Sequence, residues 1–388
     1  GDAQLSSKPK IDEWWLAEKP CPQGTELAGQ PSPDGLAIGC VDAENKRHGR
    51  FTEWYENHSA ALDTTWSHGK ADGLWRSWHE NGKESSVGTY EVGKRQGRWQ
   101  WWLEDGTMWM ARKYKDHRKN GLAEGDHPTG NKRFSGNFED NIKVGVWNSW
   151  HENGARESAG KFLMGRPDGL WEYWHENDKL KANRRFRNGM PDGTWDTYFD
   201  NGQIESHQTY MQGRINGLRK TWHRNGQQES VTELQGGVRH GPWERWHDNG
   251  QVYATGAFFA GHLDGEIAFW NSEGKRLGAY TMDKGTGLTK EWYADGTLKV
   301  ERTLQAGELH GRWARYYENG QLQVSGEYKN GKKVGLWRGY HENGKQGSEG
   351  TFVEDREDGV FTRWDEAGEI VGKKTWKMGV EVKSESSP

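Results

Sequence analysis

Fourteen glycines divide most of this chain into copies of one pattern. From Gly49 to Gly359 they recur every 24 residues, with a single 22-residue step between Gly265 and Gly287. The residue two places after each framing glycine, the leading position, is usually tryptophan. A period of roughly 20 to 50 residues is typical of arrays whose units bury apolar side chains only against their neighbours. The spacing predicts one long array with end pieces. The framing glycines are Gly49, Gly73, Gly97, Gly121, Gly145, Gly169, Gly193, Gly217, Gly241, Gly265, Gly287, Gly311, Gly335 and Gly359.

The apolar content of the chain is aromatic rather than aliphatic. It contains 24 Trp, 13 Tyr and 54 Gly in 388 residues. Few aliphatic residues would by themselves suggest disorder, but the regular repeat argues against it. Aromatic residues with many glycines suit a thin sheet with tight turns.

Each copy reads as a β-hairpin. Between Gly73 and Gly97, one aromatic run ends at the turn Asn81-Gly82 and a second passes through Tyr90. Asn-Gly between two such runs is a strong hairpin signal, and because both residues tolerate positive φ it predicts a primed turn. The density of glycine excludes helix.

The second strand of each copy carries an anchor seven residues before the next framing glycine. We expect these side chains to form a ladder of cross-strand contacts. The anchors are Trp66, Tyr90, Tyr114, Phe138, Phe162, Phe186, Tyr210, Leu234, Phe258, Tyr280, Leu304, Tyr328, Phe352 and, in the last copy, Trp376.

A second aromatic position follows the leading one by three residues, as Trp150 follows Trp147. In a regular strand the two side chains face opposite sides of the sheet, so either both faces carry aromatics or a bulge redirects one. The predicted fold is all-β: an elongated single-layer antiparallel β-meander of about 14 hairpins, twisted into a superhelical ribbon.

The two cysteines, Cys21 and Cys40, both precede the first copy. The simple interpretation is a disulfide within an N-terminal cap, and an oxidising compartment. We therefore expect a secreted or periplasmic protein whose signal peptide has been removed; the alternative is two free thiols in a cytosolic protein. The expected organisation is a cap over 1–48, repeats over 49–380 and a polar tail over 381–388.

The recurring motif, quoted from Gly311 as GRWARYYENGQLQVSGEYKNGKKVG, resembles the bacterial variant of the MORN repeat over about residues 49 to 380. The resemblance implies single-layered antiparallel meanders that act as scaffolds or binding surfaces for proteins and sometimes lipids. Bacterial members are often labelled antitoxin-like. The resemblance carries over no catalytic residues.

Some copies depart from the motif. The copy at Gly121 has Ala123 and Asp126 in place of its two first-strand aromatics, so it is expected to be a bend, a looser segment or an exposed site. Arg219, Ile267 and Thr289 also replace leading tryptophans.

Histidine followed by glutamate recurs at the end of the first strand, as in His79-Glu80, and suggests metal. Equivalent residues of adjacent hairpins lie roughly 9 to 10 Å apart, however, whereas ligands must converge at about 2.1 Å from a metal. We expect no metal, no cofactor and no enzyme activity, because no nucleophile, phosphate-loop or zinc-protease motif is present. Asp126 with His127 is the one cluster unique to a single copy.

The formal charge of -4, with alternating signs, gives no phosphate-binding stripe, so we expect no nucleic-acid partner. No apolar run reaches the length of a transmembrane helix. We expect a non-enzymatic scaffold for protein-protein interaction at the cell envelope or outside the cell, with a lipid surface as an alternative partner. The alternatives are a carbohydrate or peptidoglycan-binding module using exposed Trp and Tyr, and an antitoxin-like neutralising protein. The candidate binding surface is Trp78, Trp102, Trp150, Trp174, Trp222, Trp246, Trp270, Trp292, Asp126 and His127.

Overall fold

The computed structural model describes residues 11–382. Regular structure there consists of 33 strands and a 3-10 turn at Trp14–Leu16. The chain separates into two compact units, one ending at Asp192 and the other beginning at Gly193. Strand β15 (Met190–Tyr198) contains the boundary between them.

The first unit contains fourteen complete strands: β1 (Glu26–Gln30), β2 (Ala37–Val41), β3 (Arg47–Trp54), β4 (Ala60–Ser67), β5 (Lys70–Trp78), β6 (Glu84–Glu91), β7 (Lys94–Trp102), β8 (Met108–Lys115), β9 (Arg118–Asp126), β10 (Lys132–Glu139), β11 (Ile142–Trp150), β12 (Arg156–Leu163), β13 (Arg166–Trp174) and β14 (Leu180–Arg187).

The second unit contains eighteen: β16 (Ile204–Met211), β17 (Arg214–Ile215), β18 (Gly217–Trp222), β19 (Gln228–Gln235), β20 (Val238–Trp246), β21 (Val252–Phe259), β22 (His262–Trp270), β23 (Arg276–Met282), β24 (Gly287–Trp292), β25 (Leu298–Gln305), β26 (Glu308–Tyr316), β27 (Leu322–Lys329), β28 (Lys332–Tyr340), β29 (Gln346–Val353), β30 (Arg356–Glu357), β31 (Gly359–Trp364), β32 (Ile370–Lys377) and β33 (Val380–Val382).

Within each unit the strands form an antiparallel meander. Strand β11 pairs with β12 and β12 with β13, and the same succession recurs in the second unit from β18 to β23. Each copy of the repeat supplies one hairpin, and the framing glycine pairs with the anchor of its own copy, as Gly145 does with Phe162. The predicted all-β meander of hairpins is confirmed.

The turns differ from those that the sequence predicts. At Asn81-Gly82 the positive φ, 85°, belongs to the glycine, and Gly82 N–H donates to the carbonyl of His79 while His79 N–H donates to that of Lys83. These bonds define a three-residue loop closed by a bulge, not a primed turn. Primed turns join one copy to the next instead, because both Met164 (48°) and Gly165 (78°) have positive φ.

The short step between Gly265 and Gly287 interrupts the ladder of the second unit. The turn at Gly285 lies at the position expected from the 24-residue repeat, so the two residues are missing after it, before Gly287. A single bridge between Asp283 and Thr286 replaces the longer pairing that other copies make there. Strand β24 begins a separate ten-stranded sheet that continues to β33. Because the deletion follows the anchor, the anchor of this copy is Met282, which pairs with Gly265; the assignment to Tyr280 is wrong.

The two first-strand aromatics of a copy face opposite sides of the sheet. Trp147 pairs with Gly160, Ser149 with Ser158 and Trp150 with Arg156, so the extra residue lies in the returning strand at position 157. The first strand has its own irregularity between Val144 and Asn148, against β10, but it has no inserted residue from Trp147 to Trp150, so the side chains alternate over that stretch. Of the two alternatives that the sequence leaves open, aromatics on both faces is the one observed.

The segment before the repeats covers the first copy. Cys21 and Cys40 form a disulfide with Cα atoms 5.6 Å apart. Strand β2 pairs with β1 and β3, so the edge of the first copy is hydrogen-bonded. Trp14 Nε1–H donates to the hydroxyl of Thr52 at 3.0 Å, and Trp15 packs edge-on to Trp54.

The two ends of the chain lie partly outside the described residues. These are the first ten residues of the expected cap and residues 383–388 of the expected polar tail. Between residues 11 and 382 the structure contains no helix long and apolar enough to span a bilayer.

Candidate functional site

The leading tryptophans and the anchors pack together on one side of the sheet, which we call the aromatic face. The ring of Trp147 lies edge-on to Phe138 at 5.1 Å and to Phe162 at 6.0 Å, and Phe162 meets Trp171 at 5.0 Å. Trp147 is only 7% exposed. The predicted ladder therefore contains both positions, with a leading ring inserted between successive anchors.

A glycine in the second strand makes room for each of the most buried leading rings. This strand glycine lies 15 residues after the framing glycine, as Gly160 does in the copy that begins at Gly145. A Cβ atom on Gly160 would lie 2.1 Å from the indole of Trp171. The indole also donates its Nε1–H to the carbonyl of Lys161 at 3.1 Å. The ring is thus fixed by contact and by a hydrogen bond.

The eight tryptophans of the candidate surface occupy the second aromatic position, on the face opposite the aromatic face. Trp78 is buried and the other seven are half-buried. Cations lie over several of these rings: Lys132 Nζ is 5.8 Å from the ring of Trp150, and the guanidinium of Arg156 is 5.7 Å from that of Trp174. Trp292, where the second sheet begins, differs from the other seven tryptophans because its ring packs on Gly278 and Phe269.

Asp126 and His127 follow the repeat scheme. Asp126 takes the second aromatic position and pairs in register with Lys132. Burial, and to a lesser degree Glu124, raise the pKa of the Asp126 carboxyl. His127 Nε2–H donates to the carbonyl of Trp150 at 2.8 Å, the bond that the corresponding histidines of other copies make.

The repeated histidines link neighbouring copies of the array by hydrogen bonds. His151 Nε2–H donates to the carbonyl of Trp174 at 2.9 Å, and the hydroxyl of Tyr293 reaches the carbonyl of Tyr316 in the same way. Within residues 11–382 no three His, Cys, Asp or Glu side chains are grouped as metal ligands. The recurring histidine is accounted for as a hydrogen-bond donor. The same bond is made by His79, His223, His247 and His341.

A groove of about 400 Å³ opens on the aromatic face of the first unit. Its apolar lining includes Phe134, Trp147 and Phe162, and its polar lining includes Ser149 and Ser158, whose hydroxyls are 2.7 Å apart. Phe134 stacks on Trp147 at 6.1 Å with an interplanar angle of 14°. The groove offers flat apolar surface beside hydroxyls able to donate and accept hydrogen bonds.

Two cations, Arg112 and Lys143, line the same groove. Lys143 Nζ lies 4.3 Å from the ring of Trp147 and 5.0 Å from that of Phe162. Burial, with the nearby charge of Lys119, lowers the pKa of the Lys143 ammonium. Among the described residues, 11–382, Arg112 Nε is buried without a hydrogen-bond partner, and no carboxylate of that range lines this groove.

The second unit has its own groove, of about 570 Å³, around the buried cluster of Trp243, Ile267 and Met282. Its lining includes Arg219, which stands at a leading position, and Glu229. This groove therefore combines cations with a carboxylate.

The groove residues of the first unit were not among the sequence candidates. Their signal was the residue at the strand-glycine position: Arg112 replaces glycine there, and it pairs with Ala123, the leading residue that lacks a ring. Lys143 has no comparable signal, because lysine is unremarkable in the strand that links two copies.

Comparisons with known proteins concern the repeat. The sequence model of the MORN repeat variant matches residues 167–188, 191–212, 239–259 and 309–330. A search among curated proteins finds no match. A crystal structure of a eukaryotic initiation factor aligns over 92% of this chain and 89% of its own, at 10% identity and a TM-score of 0.25.

Two further solved structures align as well. They are TcdB2-TccC3 without its hypervariable C-terminal region (10% identity, TM-score 0.17, 90% of this chain) and the Photorhabdus luminescens Tc holotoxin pore with TccC3-D651A (10%, 0.14, 88%). This chain spans about a fifth of the length of each, 21% and 20%. TM-scores this low do not establish a common fold.

The motif that recurs through the chain, the hairpin that each copy forms and the four matched segments agree with one another. This chain carries repeats of the MORN variant, which the family model matches four times within residues 167–330.

Proposed function

We propose that the chain is a non-enzymatic scaffold that binds partner proteins on the aromatic face of its repeats, at the cell envelope or outside the cell. The observation that carries this proposal is a groove in each unit whose floor is aromatic and whose walls bear cations. Aromatic residues and arginine are the side chains enriched at protein interfaces.

The packing of the leading rings favours a protein ligand over a sugar. Sugar stacking needs the flat face of a ring to be free, whereas Trp99 and Trp171 are buried between neighbouring rings and strand glycines. A protein segment needs only the grooves between such rings.

The test uses the full chain, immobilised in its oxidised form, and compares saturable capture of extracellular proteins with sedimentation on insoluble peptidoglycan. Saturable protein capture without glycan binding is expected. Sedimentation with the glycan, together with loss of protein capture, would contradict the proposal and favour the carbohydrate-binding alternative.

The proposed location rests on the disulfide between Cys21 and Cys40. Such bonds persist in oxidising compartments and are rare in the cytosol. Rapid alkylation of cells that produce the protein, followed by mass spectrometry, is expected to leave both cysteines unmodified. Two alkylated thiols would overturn the location and favour the antitoxin-like alternative.

A further inference from the structure

The groove of the first unit adjoins an exchange of large and small residues. In regular copies a strand glycine faces a leading tryptophan, as Gly136 faces Trp147. One copy earlier, Arg112 occupies the glycine position and Ala123, 1% exposed, takes the leading position. The exchange removes an indole and brings a guanidinium to the aromatic face.

The charge of this groove is uncompensated. Among residues 11–382 no carboxylate forms an ion pair with Arg112 or Lys143. A comparable lysine in the second unit, Lys333, lies 4.4 Å from the ring of Trp337, but Glu349 and Glu357 line its groove. The first groove is therefore the one of these two that lacks negative charge.

We propose that the groove between Arg112 and Lys143 binds an acidic peptide segment of a partner protein, with an apolar side chain on Phe134 and Trp147. The proposal rests on the proposed function and names the chemistry of one partner. A carboxylate would pair with the two cations, and Ser149 and Ser158 would hydrogen-bond the peptide backbone. A volume of about 400 Å³ lies within the range of small-ligand sites, roughly 300 to 1000 Å³.

A peptide fits this arrangement better than a membrane surface. Lys143 lies against two rings rather than extended into solvent, so a ligand must enter the groove to reach its charge. An extended segment presents alternate side chains to such a floor. Lipid headgroups would favour exposed cations instead.

The test measures fluorescence anisotropy of a labelled peptide of alternating glutamate and phenylalanine on the full chain, against a peptide with lysine in place of glutamate. Arg112→Gln and Lys143→Gln are each expected to weaken binding about tenfold, as loss of a charge-assisted hydrogen bond does. The lysine peptide is expected not to bind.

Two matched controls are expected to bind the glutamate peptide like the unmodified chain. Lys333→Gln removes the equivalent lysine of the compensated groove, and Lys161→Gln removes an exposed cation from β12, the strand that supplies Ser158 and Phe162. Thermal unfolding of every variant identifies a loss of binding that is due to misfolding; Lys143→Gln keeps the test decisive if Arg112→Gln unfolds.

Binding that is equal for both peptides, or unchanged in the Arg112 and Lys143 variants, would overturn the proposal. The proposal would also be overturned if the glutamate peptide fails to bind and the Arg112 and Lys143 variants lose binding to phosphatidylserine vesicles. That outcome would assign the groove to lipid. The double variant combines Arg112→Gln with Lys143→Gln. If it captures the same partner proteins as the unmodified chain, the groove proposal fails while the scaffold function stands. If neither form captures a protein but the unmodified chain binds the glutamate peptide and the double variant does not, the scaffold proposal fails alone.

Discussion

At the scale of single residues, the fold depends on which of two facing positions carries a large side chain. Where the second strand has glycine, the facing indole sits close to the backbone and is buried, as for Trp99 over Gly88 and Trp337 over Gly326. Where Arg112 replaces the glycine, alanine faces it. In these copies a large side chain faces a small one, whereas Arg302 faces Trp313, so the exchange is a feature of particular copies and not of every copy.

This exchange predicts the effect of a single methyl group. Gly326→Ala would place Cβ 2.2 Å from the indole of Trp337, so the ring must move. We expect the free energy of unfolding to fall by about 1 to 3 kcal/mol, measured by urea denaturation. Gly372→Ala is the matched control, because its Cβ meets nothing within 4 Å and its backbone does not have a positive φ. Equal losses in the two variants would mean that the loss does not come from the ring contact.

At the scale of the hairpin, the turns hold successive copies together through side chains. His151 reaches one copy forward to the carbonyl of Trp174, and Tyr293 and Tyr317 make the same bond with a hydroxyl. This turn position thus carries histidine or tyrosine because each has a hydrogen-bond donor that reaches the carbonyl of the next copy, and metal binding is not needed to explain the histidine.

Histidine and tyrosine should therefore be exchangeable in these turns. His151→Phe removes the donor and is expected to lower the free energy of unfolding by about 1 kcal/mol, whereas His151→Tyr is expected to recover most of that loss. Chemical denaturation of both variants checks this. A tyrosine variant no more stable than the phenylalanine variant would show that the carbonyl bond is not what stabilises the turn.

The break between β23 and β24 predicts that an insertion will protect β24 from amide hydrogen exchange. Two residues placed between Gly285 and Thr286 would restore the 24-residue step and allow β23 and β24 to pair through the link. We expect slower amide hydrogen exchange in β24, measured against the unmodified chain, with β27 as an internal reference in the same unit. Unchanged exchange in β24 would place the cause of the break elsewhere, for example at Thr289.

The sequence predicted the hairpins because period, turn residues and anchors repeat in phase. It did not predict the turn geometry, because Asn-Gly suits both a primed turn and a loop closed by a bulge, and Asn81 uses its side chain instead: Oδ1 accepts from Lys83 N–H and Nδ2 donates to the carbonyl of Glu104. It misassigned Tyr280 because a deletion cannot be located from spacing alone. The groove at Arg112 was not predicted because its signal is the absence of a glycine that lets a ring pack, and not the presence of a ring.

At the scale of the whole molecule, the strand pairings described within each unit join neighbours along the chain. In such arrays stability is approximately a sum of local terms, and a change at one end need not reach the other. The disulfide of the cap tests this, because Cys40 lies in β2, which pairs with β3 of the first copy.

Replacing both Cys21 and Cys40 by serine is expected to lower the stability of the cap by about 3 kcal/mol, since the bond closes a loop across 19 residues of separation. If stability is local, amide hydrogen exchange will quicken in β1, β2 and β3 and stay unchanged in β13 of the same unit. Mass spectrometry of exchange, with the unmodified oxidised chain as the control, measures both regions at once. Equal acceleration in β3 and β13 would mean that the first unit unfolds as one cooperative body, and a ligand in its groove would then stabilise the cap as much as its own strands.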